Sequence, residues 1–308
     1  MRSTSEELRT AANEVGGIVL GKERQVQQAF CCLLAGGHLL IEDLPGVGKT
    51  TLSQAFARVT GLSYRRVQFT SDMLPSDILG VSIFDRNSNA FHFHAGPVFT
   101  QFLLADEINR ASPKTQSALL EAMAEGRVTV EGETRELPQP FFVMATQNPW
   151  YQSGTFPLPE SQLDRFLMRI SLGYPDARSE RSLLQGGDPR EQLVNLQAKL
   201  DGPQILALRE RVKQVEARDS VISYIQRLVA FSREDARFAF GLSTRAALAL
   251  LQCAKAWALL EGRDYVLPDD VQAVLEPVAA HRLQAATDSS ADGAELVQHM
   301  LSDVAVLA

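Results

Sequence analysis

Lys49 stands behind two glycines in the run Pro45-Gly46-Val47-Gly48-Lys49-Thr50-Thr51, directly after a short apolar segment, His38-Leu39-Leu40-Ile41-Glu42. Glycine at 46 and 48 lets successive backbone N–H groups curl around phosphate oxygens, and a helix beginning here adds the partial positive charge of its N-terminus. Lys49 then reaches β and γ phosphates, and the Thr50 hydroxyl is placed to ligate Mg2+. The contact residues of this phosphate-binding loop are Gly46, Val47, Gly48, Lys49, Thr50 and Thr51. Asp43 occupies the position where such loops usually carry their first glycine, and aspartate tolerates unusual turn backbone better than most residues.

Two carboxylates supply the complementary chemistry. The run Phe102-Leu103-Leu104-Ala105 ends in Asp106-Glu107. Asp106 is expected to hold the metal's coordination shell, and Glu107, at the strand end, to polarise an attacking water as general base. A third apolar run closes on Gln147-Asn148-Pro149. The amide of Asn148 orients a water without competing for its proton, which makes it a candidate phosphate sensor. His92 and His94 are spaced to share one face of a strand, as metal ligands do; the preferred reading is that they are polar faces of a hairpin.

These residues need a scaffold that brings strand ends together. Apolar runs at 38–42, 64–69, 102–105, 141–146 and 166–172 are short, end in polar or glycine-containing turns, and leave room for crossovers, which predicts a parallel α/β sheet. Two hairpins interrupt the repeat, one over 81–94 turning at Asp85-Arg86-Asn87-Ser88-Asn89, the other over 127–137 turning at Glu131-Gly132. Ser112-Pro113 reads as cap and first residue of a helix. From about Gly202 the pattern is helical, over 205–215, 221–232, 244–260 and from Pro268, with no strand-like run. The loop Gly186-Gly187-Asp188-Pro189 marks the join, giving a core over 1–190 and an all-α second domain over 191–308.

The 308 residues, 45% hydrophobic and 22% charged, are enough for such a core and exclude disordered or fibrous classes. Thirty Lys+Arg against 37 Asp+Glu leave a net charge of −7, so no bulk positive field attracts nucleic acid or an anionic membrane. The first fifteen residues lack the apolar stretch of a signal peptide, and no run reaches the ~18 residues a membrane span requires. A cytoplasmic protein without membrane insertion is expected. Cys31, Cys32 and Cys253 fit neither a metal knuckle nor a mutual disulfide of the adjacent pair, and are expected to be buried.

Taken together, these motifs resemble the AAA+ ATPases, and within them the MoxR family. The resemblance runs over roughly 16–283 and rests on Asp106-Glu107-Ile108-Asn109-Arg110-Ala111, on Pro113-Lys114-Thr115-Gln116, on Ala145-Thr146-Gln147-Asn148-Pro149, on Gln162-Leu163-Asp164-Arg165-Phe166 and on Gly262-Arg263-Asp264-Tyr265-Val266. It implies a P-loop core with a helix-2 insert and a pre-sensor hairpin, followed by a helical lid, binding ATP with Mg2+ in a homo-oligomeric ring, commonly hexameric. By the same resemblance Arg165 looks like an arginine finger reaching a neighbour's γ-phosphate, with a salt bridge to Asp164 as the plainer alternative. Arg245, which introduces a long helix, looks like a sensor-2 arginine acting in cis, with a side-chain carboxylate as the alternative partner. Arg110 is a further candidate for the subunit interface. Ile18 and Val19 correspond to the segment lining the adenine pocket.

The implied role is chaperone-like remodelling or maturation of a protein complex, together with a partner carrying a von Willebrand factor A domain. Two other readings compete. A nucleic-acid motor is disfavoured by net charge and by the first hairpin, in which Arg86 is the one full positive charge. A scaffold that binds ATP without turnover is disfavoured by the intact set Lys49, Asp106, Glu107, Asn148 and Arg165.

Overall fold

A computed structural model describes residues 4–148, 154–185, 189–286 and 291–306. Pro149 of the third motif and residues Gly186, Gly187 and Asp188 of the expected join lie outside the described residues. The chain opens with α1 (Thr4–Ile18) and α2 (Glu23–Leu34), then β1 (Leu39–Glu42), α3 (Lys49–Thr60), β2 (Tyr64–Gln68) and α4 (Pro75–Leu79). The first hairpin is β3 (Gly80–Asp85) with β4 (Ala90–Ala95), followed by β5 (Phe102–Asp106) and α5 (Pro113–Glu125). The second is β6 (Arg127–Val130) with β7 (Glu133–Glu136), followed by β8 (Phe142–Gln147), α6 (Glu160–Leu163), β9 (Met168–Ile170), α7 (Ala177–Leu184) and α8 (Pro189–Asn195).

The five expected strands form one parallel sheet in the order β2-β5-β8-β1-β9. All residues of β5 and β8 are buried, which is why these strands read as unbroken apolar runs rather than alternating ones. Parallel pairing puts their C-terminal ends on one edge, so the residues after β1, β5 and β8 converge. The hairpins form as expected. Glu131 (φ 55°) and Gly132 (φ 81°) take the left-handed backbone of a two-residue turn. Ser112 caps α5 by accepting the Thr115 N–H, with Pro113 at the first helical position.

Beyond the core come α9 (Gly202–Gln214), α10 (Asp219–Glu234), β10 (Phe238–Phe240), α11 (Thr244–Leu260), α12 (Pro268–Ala279), β11 (Gln284–Ala285) and α13 (Gly293–Asp303). The region is helical, as expected, with one correction: β10 and β11 form a small antiparallel pair. Strands of three and two residues carry too little periodicity to register in a sequence. The lid does not stand apart from the core. One apolar cluster runs from Leu8 and Phe30 through Phe56 to Leu250, Cys253 and Val297, with α11 against α2 and α1. The three cysteines are free and buried within it, and burial raises the thiols of Cys31 and Cys32 well above their ordinary range.

Candidate functional site

Gly48, the residue before α3, has a left-handed backbone (φ 96°), as does Gly46 (φ 90°), and a Cβ added at either would meet open space. The loop therefore leaves room for an anion against its backbone, as a phosphate cradle requires. No side chain caps α3, so the N–H groups of its first turn, at Lys49, Thr50 and Thr51, remain available to an anion. The Lys49 ammonium folds back on the loop, donating to the carbonyls of Asp43 at 2.5 Å and Leu44 at 3.1 Å and to Asn148 Oδ1 at 3.4 Å. Burial lowers its pKa from the ordinary lysine value, opposed by the charges of Asp43, Asp106 and Glu107. Val47 packs partly buried against the main apolar cluster.

Asp43 owes its place to its carboxylate and not to turn backbone. It is not among the residues with positive φ. Its Oδ2 accepts from Ser171 Oγ at 3.0 Å and from the N–H groups of Leu172 and Gly173 at 2.6 and 2.7 Å, and Oδ1 accepts the Leu44 N–H at 2.9 Å. A glycine here would leave those donors, at the end of β9, unmatched.

The carboxylates lie where β5 ends. Thr146, on the neighbouring strand β8, donates its hydroxyl to Asp106 Oδ1 at 2.6 Å and accepts the Glu107 N–H at 2.9 Å. Glu107 turns out of the strand with φ 55°, ψ 49°, a conformation uncommon for a residue with a side chain. This abrupt turn is what breaks strand alternation and lets adjacent acids work in one site. Glu107 Oε1 accepts from Asn148 Nδ2 at 3.3 Å, and Oε2 pairs with Arg110 Nε at 2.7 Å. Asn148 is itself positioned by Asn109, whose buried amide donates to the Asn148 carbonyl at 3.0 Å.

Lys49, Asp106, Glu107 and Asn148 are thus assembled, and three contributors were not found from sequence. Thr146 and Asn109 act as positioning groups inside motifs recognised for other residues. Arg66, on β2, binds Asp106 Oδ2 through Nε at 3.2 Å and Nη2 at 2.7 Å; nothing in its local sequence signals this, because the contact depends on β2 pairing with β5. A hydroxyl and a carboxylate, Thr50 and Asp106, are the hard oxygen donors that suit Mg2+, and the open cradle suits phosphate.

The arginines lie elsewhere. Arg165 is exposed and donates to the Leu120 carbonyl at 3.0 Å, not to Asp164. Asp164 is instead held by Arg282 at 2.7 Å and by Arg245 at 3.3 Å, so the structure gives Arg245 the carboxylate partner. Ile18 and Val19 are buried at the end of α1, and Ile18 borders an open cavity of ≈ 350 Å³ with Gly17 and Leu196. His92 is an exposed hairpin residue bonded to Ser88 Oγ, and no metal-binding cluster of His, Cys, Asp and Glu occurs among the described residues.

Residues 38–168 match the model of the ATPase family associated with various cellular activities, and residues 230–300 match an AAA lid domain. The chaperone MoxR1 of Mycobacterium tuberculosis is 42% identical over 92% of this chain and 78% of its own length. Protein MoxR of Paracoccus denitrificans is 32% identical over 89% and 88%. The chain belongs to the MoxR family of AAA+ ATPases. The Bacillus subtilis protein YeaC is 42% identical over 96% of this chain and 93% of its own length. A solved structure of a candidate ATPase from Cytophaga hutchinsonii superposes with a TM-score of 0.88 at 36% identity, covering 98% of this chain and 95% of that one.

Proposed function

We propose that this MoxR-family protein is an Mg2+-dependent ATPase that works as a homo-oligomeric ring, hexameric by family likeness, and uses hydrolysis to remodel or mature a client protein complex in the cytoplasm. The observation that carries the reading is the continuous chain of contacts from Lys49 through Asn148 to Glu107, and from Glu107 through Thr146 to Asp106.

In this reading the cradle of Gly46, Val47 and Gly48 and the first turn of α3 bind the phosphates, and Lys49 exchanges its carbonyl partners for them. Thr50 and Asp106 would hold Mg2+, which supplies charge neutralisation at the β and γ phosphates. Glu107 accepts the proton of the attacking water, and Asn148 fixes the water's orientation by sharing its amide between the carboxylate and the phosphate side. Arg165, exposed and free of Asp164, is suited to act on a neighbour's nucleotide. Arg245 would leave Asp164 to act in cis as the lid moves onto nucleotide. Ile18 and Val19 are assigned to the adenine pocket, the core to 1–190 and the lid to 191–308.

A von Willebrand factor A domain partner is proposed from family likeness. Among the described residues no helix is long and apolar enough to cross a membrane; that the protein does not insert into a membrane is part of the proposal.

The test is steady-state ATP hydrolysis per subunit over a wide range of protein concentration, comparing the unmodified chain with Arg165→Ala. Specific activity that rises with concentration and collapses in Arg165→Ala supports the ring. Activity independent of both overturns the trans-acting arginine, and no turnover at any concentration favours the scaffold reading.

A further inference from the structure

Asp106, the proposed metal carboxylate, already has a cation on it. Arg66 places Nε at 3.2 Å and Nη2 at 2.7 Å from Oδ2, while Oδ1 is taken by the Thr146 hydroxyl at 2.6 Å. The Asp106 side chain is 9% exposed against 44% for Arg66. Both carboxylate oxygens are therefore engaged, and the group on Oδ2 is a full positive charge reaching in from the solvent side. The Lys49 ammonium adds a second positive charge that acts on Asp106. A bare dication approaching Oδ2 meets repulsion from both and must displace the guanidinium to bind.

We infer that Arg66 is a counter-ion that closes Asp106 to a free divalent cation, so that metal enters the site only together with nucleotide. This rests on the reading of Asp106 as the metal carboxylate. The exchange is feasible because β2 is the edge strand of the sheet: the Arg66 side chain is half in solvent, and its guanidinium can swing off Asp106 without disturbing the pairing of β2 with β5. The polyphosphate supplies what is missing in the empty loop. Its negative charges compensate Lys49, reverse the local field, and offer the released guanidinium an anionic neighbour. Arg66 is thus a positioning residue that makes metal affinity conditional on nucleotide, and it guards against loading of metal into an empty loop.

The probe is Mn2+, measured by electron paramagnetic resonance and calorimetry on the full chain, first without nucleotide. Arg66→Met is expected to bind one Mn2+ at least about tenfold more tightly than the unmodified protein, and Arg66→Met with Asp106→Asn is expected to lose that gain. With a non-hydrolysable ATP analogue present, the unmodified protein and Arg66→Met are expected to agree within about twofold, because the guanidinium has already left. Equal Mn2+ affinity without nucleotide, or a gain that survives Asp106→Asn, overturns the inference. Arg66→Gln, which keeps a hydrogen-bonding side chain but removes the charge, repeats the test if Arg66→Met melts well below the unmodified chain. A separate arm examines the underlying reading: if Asp106→Asn alone leaves Mn2+ binding with the ATP analogue unchanged, Asp106 is not the metal carboxylate and both the assignment and the inference fall. If Asp106→Asn weakens that binding while Arg66→Met shows no gain, the assignment stands and the inference alone fails.

Discussion

Asn148 Nδ2 lies 3.3 Å from Glu107 Oε1, while the same side chain's Oδ1 lies 3.4 Å from the Lys49 ammonium. One amide therefore spans the phosphate-binding loop and the candidate base, and its polarity is fixed by its neighbours: only the NH2 end donates to a carboxylate and only the oxygen accepts from an ammonium. The residues that directly follow β8 and β5 are joined through this side chain.

Asn148→Ala is expected to lower the rate of ATP cleavage by about 100- to 1,000-fold, the scale for losing one preorganised polar group at the reacting centre. ATP affinity should change little, since the cradle and Lys49 remain. Single-turnover cleavage and equilibrium binding of a fluorescent nucleotide separate the two. A large loss of affinity with an unchanged cleavage rate would assign Asn148 to binding only.

Asp43→Gly restores the residue usual at the start of such loops, and is nevertheless expected to destabilise the protein. The carboxylate accepts three hydrogen bonds from residues 171–173 in a buried setting, and losing them leaves shielded donors unmatched, at a cost of about 2–4 kcal/mol. Denaturant unfolding of the two proteins measures this. Equal or greater stability in Asp43→Gly would mean that the loop relaxes onto water instead.

Asp270→Asn tests the lid. Asp270 is 2% exposed, faces Arg263 through both of its oxygens at 2.7 and 2.5 Å, and accepts the Leu267 N–H at the start of α12 at 2.7 Å. Removing its charge leaves a partly buried guanidinium without its counter-ion, a change of the kind that costs about 3–5 kcal/mol. Thermal melting followed by circular dichroism should show the loss, and ATP binding to protein that remains folded should not change.

Acid sensitivity follows from His38. Its ring accepts the Val143 N–H at Nδ1, bonds the Met123 carbonyl at Nε2 and is buried, and burial lowers its pKa from 6.5 to about 4. Between those values the unfolded chain binds a proton that the folded chain refuses, so this contribution to stability is complete above about pH 6.5 and is lost as the pH falls to 4. The upper bound is about 3 kcal/mol. His281, also buried, is displaced in the same direction. The melting temperature of the unmodified protein should fall more steeply over this interval than that of His38→Gln; parallel curves would remove His38 as the cause.

The sheet and the motifs at its edge were legible because their signals are local: a glycine pair before a lysine, an apolar run ending in acids. Phe141 to Asn148 could be read as strand then sensor for the same reason. What escaped depends on pairing between distant segments. Arg66 meets Asp106 only because β2 lies beside β5, and Thr146 meets both Asp106 and the Glu107 N–H only because β8 lies on the other side. Arg165 and Arg245 were legible as motif members but their particular partners were not, since Asp164 takes Arg245 and Arg282 while Arg165 turns to the Leu120 carbonyl. The short pair β10 and β11 escaped because two or three residues hold less information than one helical turn.

The apolar cluster shared by α1, α2 and α11 bears on how this chain could be dissected. Phe30, Cys31, Leu33 and Leu34 are wholly covered, partly by residues contributed from beyond position 240. A fragment ending after the last strand of the sheet would present that greasy flank to water and is expected to aggregate, even though it holds every loop and carboxylate of the proposed catalytic centre. Modularity in this protein is therefore a matter of chemistry and not of manufacture: the part that would cleave nucleotide cannot be made without the part that would respond to it.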